Sequence, residues 1–208
     1  DIPDIIHPQN IELITRQEWK EIRIPILNRN ANKLIIDSLN NFVKLLKTFQ
    51  SDDSNKSRFY KNPLILENDL SFLNEEGEWY FDKEDNWLYY YPQSGQNINT
   101  VEVIIPILES LIVSNDVENI TFKGLTFSHA TWYKPNDGYF HRQADMYGVF
   151  DSTNGDIIYT SGHSNIAFTE SNNIIFEDNT FTNLGGVGLS FDDGSDDNLI
   201  INNTFTSI

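Results

Sequence analysis

Cysteine is absent from these 208 residues, so neither a disulfide nor a thiolate metal site can form. Basic residues are scarce as well: 14 Lys and Arg stand against 31 Asp and Glu, a formal net charge of −17. A field of that sign repels phosphate backbones and anionic headgroups, so nucleic acid and membrane are not expected as partners. Long apolar runs are missing too. The stretch from Val101 to Leu108 is broken within a few residues, against the ~18 consecutive apolar residues that a membrane span needs. The chain carries no glycine loop for a nucleotide and no G-x-S-x-G nucleophile turn. His129 and His163 stand apart without ligand spacing, and no metal centre or cofactor is expected from them.

What is present falls into two textures that meet near residue 110. The first, residues 1–110, is mixed. The apolar runs Ile11 to Ile14 and Ile22 to Leu27 suit short strands. Between Lys33 and Gln50, residues Ile35, Leu39, Phe42, Leu46 and Phe49 recur at steps of four and three, which predicts a helix over 33–50. Glu78 to Asp82 and Trp87 to Pro92 are aromatic-rich runs around the polar break Lys83 to Asn86, the pattern of a β-hairpin. Its rings can pack on the domain that carries them or stand out as a platform for sugar rings. Val101 to Val113 reads as extended, buried chain broken at Pro106.

From about Val117 short apolar runs alternate with Asn, Gly, Asp and Ser. Asn119 to Phe127 (NITFKGLTF) aligns without a gap on Asn173 to Phe181 (NIIFEDNTF). In the same frame Phe176 falls on Ile200, Asn179 on Asn203 and Phe181 on Phe205, a repeat of 24 residues. Units of this length with apolar runs too short for helices predict a stacked solenoid of strands, a parallel β-helix, over 111–208. Like residues then sit above like. An Asn179/Asn203 ladder is expected at a tight turn, where asparagine tolerates left-handed backbone and bonds along the stack. The first two copies lie 54 residues apart, which predicts one further coil plus a long excursion between them. Solenoid ends need caps, and none is visible at Thr206 to Ile208, so the coils are expected to be cut at the C-terminal end.

The order of motifs resembles bacterial right-handed β-helix proteins related to glycoside hydrolase family 141. The residues that carry the likeness begin with Glu76 to Asp82 (EGEWYFD) and Leu88 to Pro92 (LYYYP). Ile105 to Glu109, Asn119 to Phe127, Thr131-Trp132, Gly138-Tyr139, Gln143-Ala144 and Leu184 to Leu189 follow in the same order, and Glu18-Trp19 with Arg23 is similar to the start of the family's inserted domain. The resemblance implies a mainly β chain in which a small β-rich insertion domain with one helix precedes a partial right-handed parallel β-helix. It further implies a secreted or cell-surface glycoside hydrolase acting on plant cell-wall or fucosylated glycans. Asn28 to Asn62 departs from the family pattern.

Glycosidases need two carboxyl groups, one as acid and one as nucleophile or base. Asp192 and Asp193 follow the glycine-rich run Gly185 to Phe191, whose small residues would let a substrate approach, and they are the catalytic candidates. The same Asp192 to Asp197 segment also reads as a plain turn, and is oxygen-rich enough to suggest Ca²⁺. The excursion from His129 to Asp151 offers Trp132 and Tyr133 to stack on a sugar ring, with His141 and Gln143 to bond its hydroxyls. The expected partner is an oligo- or polysaccharide, with no activity expected of the fragment alone. Two other readings stand beside this one. A polysaccharide lyase would need a base such as Lys123 or Arg142, and a non-catalytic glycan-binding or adhesin module would need no convergent carboxyl pair.

Overall fold

The computed structural model describes residues 5–17, 20–31, 33–36, 64–141, 146–150, 153 and 156–208. These residues are almost entirely strand and loop, with helix confined to short 3-10 turns such as Pro8–Asn10 and Leu70–Phe72. No helix among them is long and apolar enough to cross a membrane. The chain divides into two compact units, Asp1–Glu102 with Lys134–Ser161, and Val103–Tyr133 with Gly162–Ile208.

The first unit is antiparallel. Strand β1 (Glu12–Gln17) pairs on one side with β2 (Lys20–Asn30) and on the other with β4 (Leu64–Glu67). On β2, Ile22, Ile24 and Ile26 are buried while Arg23 and Pro25 between them alternate to the other face, the period of two that a strand imposes. Arg23 there gathers three carboxylates, with Glu21 at 2.9 Å, Glu12 at 3.3 Å and Glu67 at 3.4 Å. Burial works to lower the Arg23 pKa, but these partners outweigh it and the net shift is upward.

The predicted helix over 33–50 is corrected at its start. Lys33–Ile36 forms strand β3, paired antiparallel with β2 in the register Asn30↔Lys33 to Ile26↔Ile36. Ala31 takes a left-handed φ of 50° at the reversal, and the backbone bonds that β2 offers outweigh the helical spacing of Ile35 with residues further on. Positions 37–50 lie outside the described residues. The hairpin forms as the aromatic runs predict: β5 (Trp79–Asp82) pairs with β6 (Trp87–Tyr90), Trp79 opposite Tyr90 and Asp82 opposite Trp87. Asp82 closes its turn by accepting from the Glu84 and Asp85 amides at 2.9 and 3.3 Å. The chain returns to this unit after Tyr133. There β10 (Tyr139–Phe140) adds to β2, and β11 (Met146–Phe150) pairs antiparallel with β12 (Ile157–Ser161).

The second unit is parallel throughout. Its strands are β7 (Ile112–Asn115), β8 (Thr121–Lys123) and β9 (Thr126–Ala130), then β13 (Ile166–Thr169), β14 (Ile175–Glu177) and β15 (Thr180–Leu184), then β16 (Ser190–Asp192), β17 (Leu199–Ile201) and β18 (Thr204–Thr206). Each of three sheets takes one strand from each triplet: β16-β13-β7, β17-β14-β8 and β18-β15-β9. The register is the one the repeat predicts, with Phe176 opposite Phe122 and Ile200, and Phe181 opposite Phe127 and Phe205. No coil intervenes across the 54-residue interval. β14 pairs with β8 directly, because Lys134–Ser161 departs into the first unit.

Stacked rings run along the interior. Phe122 lies 4.6 Å from Phe176, Phe127 5.1 Å from Phe181, and Phe181 4.4 Å from Phe205. Burying each such side chain contributes about 1.5–3 kcal/mol. The turns repeat as faithfully as the strands. Left-handed backbone recurs at Asp116, Glu170 and Asp193; at Asn119, Asn173 and Asp197; at Gly124, Asp178 and Asn202; and at His129, Asn183 and Ser207. The expected left-handed asparagine is therefore displaced by one position: Asp178 and Asn202 carry the positive φ, and Asn179 and Asn203 serve through their carboxamides. The expectation of a buried 101–113 is also corrected. Only Ile112–Asn115 is strand, and Ile105, Ile107 and Val113 are 67%, 73% and 74% exposed. On β7 the inward place goes to Ile112, which turns Val113 outward.

Candidate functional site

Asp192 ends β16, where alternation decides its direction. Phe191 pairs with Phe168 on the inner face, so Asp192 and its partner Thr169 face outward, next to Asn115 on β7. The Asp192 carboxylate is exposed and accepts from the Ser190 hydroxyl at 2.9 Å. Its carbonyl accepts from the Ser195 hydroxyl at 2.7 Å, which ties down the turn that follows. Asp193 is exposed in that turn, with a φ of 36°, and its carbonyl accepts from the Glu170 amide at 3.1 Å.

The left-handed position that Asp193 occupies is filled by Glu170 on the preceding coil and Asp116 before that. Neighbouring parallel strands run about 4.8 Å apart, so three acidic residues follow one another along this edge. Sequence reasoning missed Glu170. The repeat frame carried one turn further, with the residue after Thr169 set against the residue after Asp192, would have found it. Among the described residues no group of three or more His, Cys, Asp or Glu side chains is arranged to hold a metal ion.

The glycine-rich run before Asp192 serves the protein's own backbone. A Cβ on Gly185 would lie 3.0 Å from the Thr131 and Trp132 backbone, and one on Gly186 would lie 2.4 Å from the His163 carbonyl. Asn165, fully buried, completes this junction. Its carboxamide donates to the Glu109 and Thr131 carbonyls at 2.6 and 3.0 Å and accepts from the Gly186 amide at 2.9 Å. His163 Nε2 donates to the Glu109 carbonyl at 2.8 Å. The expected opening for substrate at Gly185 and Gly186 is thus occupied by neighbouring coil.

Trp132 and Tyr133 follow β9 in the second unit. Trp132 is half-buried and Tyr133 is 47% exposed. The Tyr133 amide donates to Glu109 Oε1 at 2.8 Å and its hydroxyl to the Ile107 carbonyl at 3.2 Å. The Trp132 backbone lies beside Gly185, ahead of β16, whereas Asp192 ends that strand. His141 belongs to the first unit, where its amide donates to the Glu21 carbonyl at 2.9 Å. Gln143 lies outside the described residues. Lys123 is ion-paired with Glu177 at 2.8 Å and Asp178 at 3.8 Å. Its hydrogen bond to Glu177 raises its pKa, which keeps it protonated and unfit as a base. Arg142 lies outside the described residues.

No family model matches this sequence, and no curated protein matches it. Among solved structures, a chain titled "Glycoside hydrolase" is similar in fold, with a TM-score of 0.66 and 22% identity over 85% of this chain. The match covers 34% of that protein's length, so this chain spans about a third of it. The chain has a glycoside hydrolase-like fold, mainly β with parallel sheets.

Proposed function

We propose that this chain is part of a carbohydrate-active enzyme, a glycoside hydrolase whose parallel sheets are the coils of a right-handed β-helix. The likeness to the solved glycoside hydrolase carries the reading, and the three parallel sheets in one repeating register support the β-helix. The catalytic candidates are Asp192 and Asp193, on an outward strand end, with Glu170 on the adjoining coil as a further carboxylate within the same edge. One carboxyl protonates the glycosidic oxygen while the other acts as nucleophile or as base toward water. The substrate is a plant cell-wall or fucosylated glycan, met outside the cell or at its surface. Neither nucleic acid nor membrane is a partner, in keeping with the charge of −17.

The test is reducing-sugar release from xylan and from fucosylated glycans by the natural full-length polypeptide. Asp192→Ala, Asp193→Ala and Glu170→Gln should be compared after a check on folding. A drop of at least about a hundredfold in one of them is expected, the usual scale for losing an acid or base. Unchanged turnover in all three would remove this edge from the mechanism. A second reading, a non-catalytic glycan-binding module, is favoured by the place of Trp132, whose backbone lies beside Gly185, ahead of the strand that Asp192 ends. It predicts glycan binding with no reducing sugar released.

A further inference from the structure

The first unit holds a cavity of about 380 Å³ between the end of β4 and the start of the β5–β6 hairpin. Its wall includes Glu67, Asn68, Asp69, Phe72, Glu78 and Trp79. Trp79 is 67% exposed although it lines the cavity, so a large part of its indole is open to solvent. Trp87 on the same hairpin is as exposed, at 66%; what distinguishes Trp79 is that it lines this cavity beside carboxylates.

The polar wall is fixed. Glu78 Oε2 accepts from the Asn74 and Glu75 amides, both at 2.8 Å, and these bonds hold its pKa down so that it stays ionised. Glu67 is held by Arg23 at 3.4 Å, and Arg23 is itself braced by Glu12 and Glu21. Asp69 accepts from the Ile6, His7 and Ser71 amides at 3.0, 2.8 and 2.9 Å. Among the described residues no bond engages Oε1 of Glu78 or Oε1 of Glu67. Among the described residues the wall contains no Lys or Arg.

We infer that this cavity is a binding site for a neutral oligosaccharide, with Trp79 stacking on a sugar ring and Glu67 and Glu78 accepting from its hydroxyls. Fixed acceptors beside an open aromatic face fit a ligand with many hydroxyl donors and apolar C–H faces. Uronates and phosphates are repelled by the Asp69 and Glu78 carboxylates, which face the cavity with no cation among the described wall residues, while Glu67 is already paired with Arg23. The site lies in the first unit and needs no turnover, so it stands or falls apart from the hydrolase reading.

The test is titration of the whole chain with xylohexaose and cellohexaose, followed by calorimetry and tryptophan fluorescence. Trigalacturonate and a glucosamine oligomer serve as the charged comparisons. Trp87 is the internal control. It is 66% exposed, yet it pairs with Asp82 and so lies on the opposite hairpin face from Trp79. Binding of a neutral hexaose is expected, weakened about tenfold or more by Trp79→Ala, weakened severalfold by Glu78→Gln, and unchanged in Trp87→Ala. Should Trp79→Ala disturb the hairpin, protection of Trp79 from N-bromosuccinimide by the hexaose reads the same contact in the natural chain. Absence of neutral binding, equal loss in Trp87→Ala, or tighter binding of either charged oligomer would overturn the assignment. Hexaose binding and reducing-sugar release are read separately, so a failure here is distinguishable from a failure of the catalytic proposal.

Discussion

Asn203 lies one coil beyond Asn179, and its Oδ1 accepts from both the backbone amide and the side-chain amide of Asn179, at 2.8 and 3.0 Å. Asn179 repeats the gesture toward the coil before it. Its Oδ1 accepts from the Leu125 amide at 2.9 Å, and its Nδ2 donates to the Phe122 carbonyl at 2.9 Å. Each carboxamide thus fills, at a corner, the place that a ladder partner would fill within a strand.

Asn179→Ala should therefore cost more than Asn203→Ala. Asn179 is 1% exposed, and its removal takes away the acceptor of the Leu125 amide and a donor to the Phe122 carbonyl. A loss of about 2–4 kcal/mol is expected from two such groups, against about 1–2 kcal/mol at half-buried Asn203. Chemical denaturation of the two variants measures the difference, and equal losses would show that the ladder is not the source.

The glycines divide by what surrounds them. Gly186→Ala places a Cβ 2.4 Å from a backbone carbonyl, so the coil must shift, with an expected loss of about 2 kcal/mol or more. Gly124 has open space around it and a φ of 65°, matching Asp178 and Asn202 at the same turn. Gly124→Asn should change stability by less than about 1 kcal/mol, while Gly124→Val should cost clearly more because a branched side chain resists left-handed backbone. Thermal unfolding of the three variants reads the order.

The phenylalanine stack should show a gradient. Phe181 is fully buried between Phe127 and Phe205, and Phe181→Ala should cost about 3–5 kcal/mol. Phe205 is 48% exposed, and its truncation should cost under about half as much. Comparable losses at both sites would mean that Phe205 is covered in solution.

Acid should loosen the first unit through Asp69. Burial pushes its pKa up, but the hydrogen bonds from Ser71, His7 and Ile6 outweigh this and leave it below the usual carboxylate value. A folded pKa below the unfolded one adds stability that is present above the unfolded pKa and fades as pH falls through the folded one. Asp69→Asn should remove that part of the acid dependence. Glu21, held down against its own burial by Arg16 and Arg23, should behave alike but with a dependence on salt. Denaturation midpoints across pH in low and high salt separate the two.

What the sequence determined was periodicity. Apolar runs at Ile11 to Ile14 and Ile22 to Leu27, aromatic runs around Lys83 to Asn86, and a frame that set Phe181 over Phe205 sufficed for the short strands, the hairpin and the parallel register, because strand and turn chemistry are local and repeat with the chain. The tertiary structure decided whatever depends on a partner distant in sequence. Lys33–Ile36 became a strand because β2 offered it a ladder, and Gly185 and Gly186 meet backbone from over twenty residues away instead of a ligand. Glu170 came beside Asp193 only through stacking, and Trp79 was left at the rim of a cavity whose other wall ends β4. Which carboxylates adjoin and which ring stays open follow from packing across sheets, and no local pattern of residues carries that information.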